Sequence, residues 1–253
     1  MIISSGFKSG MQAAGRLAAH TLDYIESRIV VGMTTFEIDR LCNEYIQQHG
    51  GKSGCHGYKG YPGNVCVSPY EVVCHGIPDG RKVCDGDIIY VDVVVELNGY
   101  YGDTARTFCI GNVNPETKRL VEVTYEARDR GIAAVRAGAT TGDIGHVIES
   151  FVNAAGYKVI KAYCGHGIGH SMHEKPLIRN YGNPSEGAQL QAGKCITVEP
   201  IVTLGSDSVR ELEDGWTVIT NDNAWTAQCE HTLYITHDGC EIMTLGKSKF
   251  AKL

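Results

Sequence analysis

The sequence predicts an α+β fold of two similar halves, each a pair of helices followed by strands. Three observations lead there. An amphipathic helix pair near the N-terminus recurs 106 residues later, as Gly32 and Gly138 show. The segments between and after the helices are rich in Val, Ile and Thr, the residues that fit a pleated surface. Finally, 253 residues with 43% hydrophobic and 21% charged content suit one globular domain with an ample core.

The first helix is predicted over about residues 9–28. Met11, Ala14, Ala18, Leu22 and Ile25 recur there at three- and four-residue steps and make one apolar stripe. The second starts at a capping box of Thr34 and Glu37, with Ile38, Leu41, Cys42 and Tyr45 on one face, and Gly50 and Gly51 end it. "VCDGDIIYVDVVVELNGYYGDTARTFCIG" then reads as two strands around Asn98-Gly99, a strong hairpin signal. A third helix follows over about residues 115–136. The fourth repeats the second: Thr34 and Thr35 match Thr140 and Thr141, Ile38 matches Ile144, and Gly50 matches Gly156. Its apolar face is Ile144, Val147, Ile148 and Phe151. "CITVEPIVTL", "WTVITND" and "WTAQCEHTLYIT" are further strands.

Chance similarity of two capped helices competes with internal duplication. Because helix order and spacing repeat together, duplication is favoured, with halves of roughly 9–110 and 115–236. Such halves would pack about a pseudo-twofold axis with a cleft at the seam. No linker or low-complexity segment intervenes, so residues 1–253 are expected to form a single domain.

The net charge of −6 and the lack of a basic stripe argue against a nucleic-acid partner. No apolar run reaches the roughly 18–20 residues of a membrane span, and the N-terminus does not read as a secretory signal. None of the ten cysteines falls in a C-x-x-C pair, which argues against zinc ribbons and thioredoxin-type redox motifs, and several lie in apolar runs as small hydrophobes, which argues against a disulfide framework. A reducing, cytoplasmic setting is the expectation.

Five potential metal ligands stand out: Asp92, Asp103, His166, Glu199 and Glu230. Each lies in a strand-like or Gly-rich segment. If they meet in space, four carboxylates need about two divalent cations to neutralise them, and the occupant would be a dinuclear centre with one nitrogen and several oxygen ligands. With a two-residue hairpin turn, Val94 faces Asp103, and Asp92 lies on the same side of the sheet. A one-residue slip would separate the two acids, and Asp103 could instead belong to a turn. Asp92, amid valine and isoleucine, is too costly to bury without a partner. For Glu199 and Glu230, a buried salt bridge to a Lys or Arg is the competing account. His166 and His170 are four apart, but Gly165, Gly167 and Gly169 break a helix there, which removes a zincin pair.

Taken together, "VVCHGIPD", "VDVVVELNGYYGDTARTF", "GHGIGHSMHEKP", "TVEPIV", "DGWTVIT" and "AQCEHTL" resemble the type I methionine aminopeptidases, which belong to the pita-bread metallopeptidases. The resemblance runs along nearly the whole chain and implies a pita-bread fold around a central antiparallel sheet. It implies that Asp92 chelates one metal, that Asp103 and Glu230 bridge two, and that His166 and Glu199 hold the other. The metals would be Fe2+, Mn2+, Co2+ or Zn2+, and a monovalent cation would sit near the Tyr70–Val72 backbone and Thr226. His75 and His173 would contact substrate, and Cys55, Tyr58, Tyr61, Cys66 and Trp216 would surround the methionine side chain.

The implied activity is removal of the N-terminal methionine from nascent proteins whose second residue is small, with a metal-bridging hydroxide as nucleophile. Glu199 would shuttle the proton, and His173 would stabilise the oxyanion. The chain would act as a monomer on nascent N-termini, with the ribosome as a further expected partner. His170, Met172 and Lys59 stand where many relatives have Arg, Phe and His. Two rivals are a proline-directed relative, which usually carries an added N-terminal domain, and an inactive binding module, which would have lost ligands.

Overall fold

The structure, a computed structural model, describes residues 5–247. The expectations for residues 1–4 and 248–253 lie outside the described residues.

Four long helices and a set of antiparallel strands form the described chain. α1 (Ser5–Glu26) carries the expected stripe: Met11, Ala14, Ala18, Leu22 and Ile25 are all buried. It begins earlier than predicted, despite Gly6, and Phe7 in this added turn packs on Tyr100, with ring centroids 6.0 Å apart. α2 (Thr35–Gln48) starts at the Thr34–Glu37 box, in which Glu37 N donates to Thr34 Oγ1 at 3.2 Å and Thr34 N donates to Glu37 Oε2 at 2.7 Å.

α3 (Pro115–Ala133) is capped by the Asn114 side chain and stops short of Arg136. α4 (Thr141–Ala154) repeats the α2 cap, with Thr140 and Asp143 at the same 3.2 and 2.7 Å. The buried stripes are Ile38, Cys42 and Ile46 in α2, and Ile144, Ile148 and Val152 in α4. Leu41, Tyr45 and Phe151 only flank the cores, and Val147 is half-buried.

The hairpin of Ile88–Leu97 and Tyr100–Cys109 has the predicted register, with Val94 opposite Asp103 and Asp92 opposite Ala105. Asn98 (φ 53°) and Gly99 (φ 80°) form its two-residue turn. Asp103 is therefore in a strand and not in a turn.

Among the described residues every strand pair is antiparallel, but pairing falls into four hydrogen-bonded groups and not one continuous sheet. Two causes are visible. The ladder of His231 with Val198 and that of Ile201 with Gln228 share one register, interrupted where Pro200 has no N–H to give. In addition, Tyr100–Cys109 joins the second-half strands mainly through threonine hydroxyls. Thr232 Oγ1 donates to Asp103 O at 2.7 Å, Thr104 Oγ1 to Glu230 O at 2.8 Å and Thr107 Oγ1 to Gln228 O at 2.6 Å. Backbone bonds from Glu230 N to Ala105 O at 3.0 Å and from Tyr101 N to Gly169 O at 2.9 Å complete this seam.

Two main apolar cores flank the seam. One lies between α1, α2 and Val91, Val93 and Val95; the other lies between α3, α4 and Ile196, Val198, Leu233 and Ile235. α1 crosses Tyr100–Cys109 at backbone contact, since a Cβ on Gly102 would stand 2.4 Å from Gly15 N. All ten cysteines are free. No helix among the described residues is long and apolar enough to cross a membrane.

Candidate metal centre and its cavity

The five acid and histidine candidates converge on the seam. One carboxylate oxygen from each of Asp92, Asp103 and Glu230 lies within 4.8 Å of the other two. His166 Nε2 is 3.7 Å from both Asp103 Oδ2 and Glu199 Oε1. The reasons are local. Asp92 and Asp103 share a face of the hairpin, and the common register across Pro200 sets Glu199 opposite Glu230. His166 enters from Gly165–Ile168, where a Cβ on Gly165 would stand 2.5 Å from Thr197 O. Only glycine permits that approach.

No Lys or Arg pairs with Glu199 or Glu230 among the described residues, so the salt-bridge account fails. Asp92 Oδ1, Asp103 Oδ1 and Glu230 Oε1 are buried without a hydrogen-bond partner. Buried acceptors left unpaired this way are costly unless a cation takes them. Burial drives all four carboxyls up: Glu199 to about 8, Asp92 to about 6, and Asp103 and Glu230 far above the carboxylate range. Mutual repulsion adds to the rise at Asp103 and Glu230. Burial, with His173 alongside, holds His166 down at about 4. Its Nδ1–H donates to Gly167 O at 2.8 Å, which leaves the Nε2 lone pair facing the acids. Oxygen donors with one imidazole form a set that fits divalent cations.

These groups form one wall of a cavity of about 490 Å³. Cys55, Tyr58, Tyr61, Cys66 and Trp216, expected at the methionine side chain, all line it, as do His75 and His173. Cys55, Tyr61, Cys66, Val94 and Met172 pack into one buried apolar cluster beside the acids. Tyr61 is buried, and its hydroxyl donates to Gly76 O at 2.8 Å. His75 holds a left-handed φ of 57°, unusual for a side-chain-bearing residue, and its ring is wedged between Tyr163 and Trp216. Burial and His173 hold its pKa down at about 4. Met172 lies in the apolar cluster and Lys59 at the mouth, whereas His170 turns away, with Nδ1 2.7 Å from Gly99 O. At the expected monovalent-cation position, the Tyr70 and Val72 carbonyls each lie 3.1 Å from Thr226 Oγ1.

Two residues of the centre were not singled out from the sequence. Thr197 Oγ1 donates to Glu199 Oε1 at 2.7 Å, and Gln228 Nε2 approaches Glu199 Oε2 at 3.4 Å. Thr197 stands two residues before Glu199 and Gln228 two before Glu230, so strand periodicity points to both.

Comparisons with known proteins agree with this centre. Residues 9–237 match metallopeptidase family M24. The chain is 45% identical over 240 residues to the methionine aminopeptidase of Rickettsia prowazekii, covering 94% of this chain and 93% of that protein. Against the methionine aminopeptidase of Escherichia coli K12 the identity is again 45%, covering 94% and 90%. The crystal structure of the Rickettsia prowazekii enzyme superposes with a TM-score of 0.95 at 43% identity, covering 97% of this chain and 99% of that one. That of the methionine aminopeptidase from Thermotoga maritima gives 0.94 at 38% identity, covering 96% and 98%. With an α+β pita-bread architecture and a carboxylate–imidazole centre, the chain belongs to metallopeptidase family M24, among its type I methionine aminopeptidases.

Proposed function

We propose that this chain removes the N-terminal methionine from nascent proteins, with preference for a small second residue. The observation that carries the reading is the convergence of Asp92, Asp103, His166, Glu199 and Glu230 beneath an apolar slot. The centre takes divalent metal; five donors with four carboxylates suit two ions, of iron, manganese, cobalt or zinc. When bound, such ions polarise a carbonyl and make water nucleophilic near neutral pH.

The chain's own residues supply the rest. Cys55, Tyr61, Cys66 and Met172 enclose an unbranched, polarizable side chain, with Tyr58 and Trp216 at its edge. A snug slot of this kind discriminates a missing methylene by roughly 1–3 kcal/mol, so methionine is preferred over leucine without absolute exclusion. The acids attract a free α-amine, which limits cleavage to the first residue. Glu199 passes the proton from water to the leaving nitrogen. His173 donates to the carbonyl oxygen as charge develops there, and His75 binds the departing amide. A monovalent cation at the Tyr70 and Val72 carbonyls, a monomeric state and ribosome contact belong to the same proposal.

The test is hydrolysis of Met-Ala-Ser by metal-replete protein, with N-acetyl-Met-Ala-Ser and Ala-Pro-Ala as controls. Cleavage of the first alone supports the reading. Cleavage of the acetylated or the prolyl peptide, or of none, refutes it.

A further inference from the structure

His166 and His173 lie with ring centroids 4.3 Å apart and planes tilted by 60°, yet their Nδ1 atoms meet opposite kinds of partner. His166 Nδ1 faces a carbonyl, which can only accept. His173 Nδ1 is 2.8 Å from the Tyr58 hydroxyl, which can also donate. We propose that the Tyr58 hydroxyl donates to His173 Nδ1 and locks that ring in its Nε2–H tautomer, so that His173 serves the reaction as a hydrogen-bond donor and not as a base.

Three physical arguments favour this direction. A phenol is a good donor and a poor acceptor, while a neutral imidazole nitrogen is a good acceptor. The Lys59 ammonium lies 5.3 Å from the centroid of the Tyr58 ring, and a cation over the ring face draws electron density from the phenol and sharpens its donor character. The backbone that carries the Tyr58 ring is also braced. Tyr58 N donates to Cys55 O at 3.0 Å and Tyr61 N to Tyr58 O at 2.9 Å. Ser53 Oγ accepts the Cys55 and His56 amides and donates to Asn64 O, which braces the loop.

The outcome is a division of labour between neighbouring rings. His166 offers a lone pair to the centre, and His173 offers an N–H to the cavity. Tyr58 is thereby a positioning residue in addition to part of the slot wall. The role in turnover rests on the function proposed above, whereas the tautomer itself does not.

The experiment is 15N–1H NMR of the full chain, labelled at histidine and loaded with diamagnetic zinc, alongside kinetics on Met-Ala-Ser. His173 should show a protonated Nε2 and an unprotonated Nδ1. Tyr58→Phe should mix or invert that pattern and lower kcat by about 10–100-fold, as loss of an outer partner does, with KM little changed. In a His173→Gln background, which keeps a side-chain N–H, Tyr58→Phe should lower kcat no further. A protonated Nδ1 in the unaltered protein overturns the proposal, as does a His173 pattern that Tyr58→Phe leaves intact. If the tautomer shifts as expected but the unaltered protein cleaves no methionyl peptide, the function fails while the tautomer assignment stands.

Discussion

Thr197 holds Glu199 in place: its hydroxyl donates to Glu199 Oε1 at 2.7 Å while accepting the His166 amide at 3.0 Å. One side chain thus orients two candidate ligands. Thr197→Val keeps the shape and removes both bonds. It should weaken divalent-metal affinity by roughly 10–100-fold, read by competition with a chromophoric chelator. Unchanged affinity would show that the hydroxyl has no orienting role.

The acids predict a pH dependence for protein stripped by a chelator. Glu199 is held up at about 8 against an ordinary 4.5, and Asp92 at about 6. The folded state therefore binds protons that the unfolded chain releases, and this stabilisation is lost as pH rises toward 8. Histidines act in the opposite sense. His75 and His166 at about 4, with His173 and His231 also lowered, remove stability as pH falls below 6.5. The two effects compete at acid pH, but between 6.5 and 8 only the acids act. Thermal melts of the stripped protein should fall through that window. Added manganese should abolish the slope, because the metal replaces the protons. A flat or rising trend in stripped protein contradicts the assigned environments.

Asp92→Ala and Asp103→Ala should each abolish peptide cleavage and lower the metal content found by elemental analysis. Asp103→Asn should also raise the melting temperature of stripped protein near pH 8, since it removes a buried carboxyl that folding forces to take up a proton there. Full activity in either alanine variant would exclude a shared centre.

Gly102 tests the packing that presents Asp103. A Cβ there would press on Ala14 and Gly15 of α1, both of them backbone contacts that cannot swing aside. Gly102→Ala should cost roughly 1–3 kcal/mol as overpacking does, measured by urea unfolding. A neutral result would mean that α1 lifts freely from the sheet.

Much of this was legible in the sequence where the signals are local. Asn98-Gly99 sets a two-residue turn, and the turn sets the register that puts Asp92 and Asp103 on one face. Thr34 and Glu37 mark the start of α2 because both cap bonds span only three residues. The site acids show as charges in apolar strands. What stayed hidden depends on distant contacts. Thr104, Thr107 and Thr232 read as ordinary strand formers, and nothing nearby says that they bond across separations of 121–129 residues. The Tyr58–His173 bond spans 115 residues and links two Gly-rich loops. The division into four strand groups follows from Pro200 and from the threonine seam, neither of which has a periodic signature.

That seam carries a consequence for when the molecule becomes active. Asp92 and Asp103 stand on one side of the stitching, and His166, Glu199 and Glu230 on the other. A partly folded chain owns two or three of the five donors, never the full set that the closed seam assembles. Hydrolytic power arrives only with closure, so the architecture doubles as a safety catch.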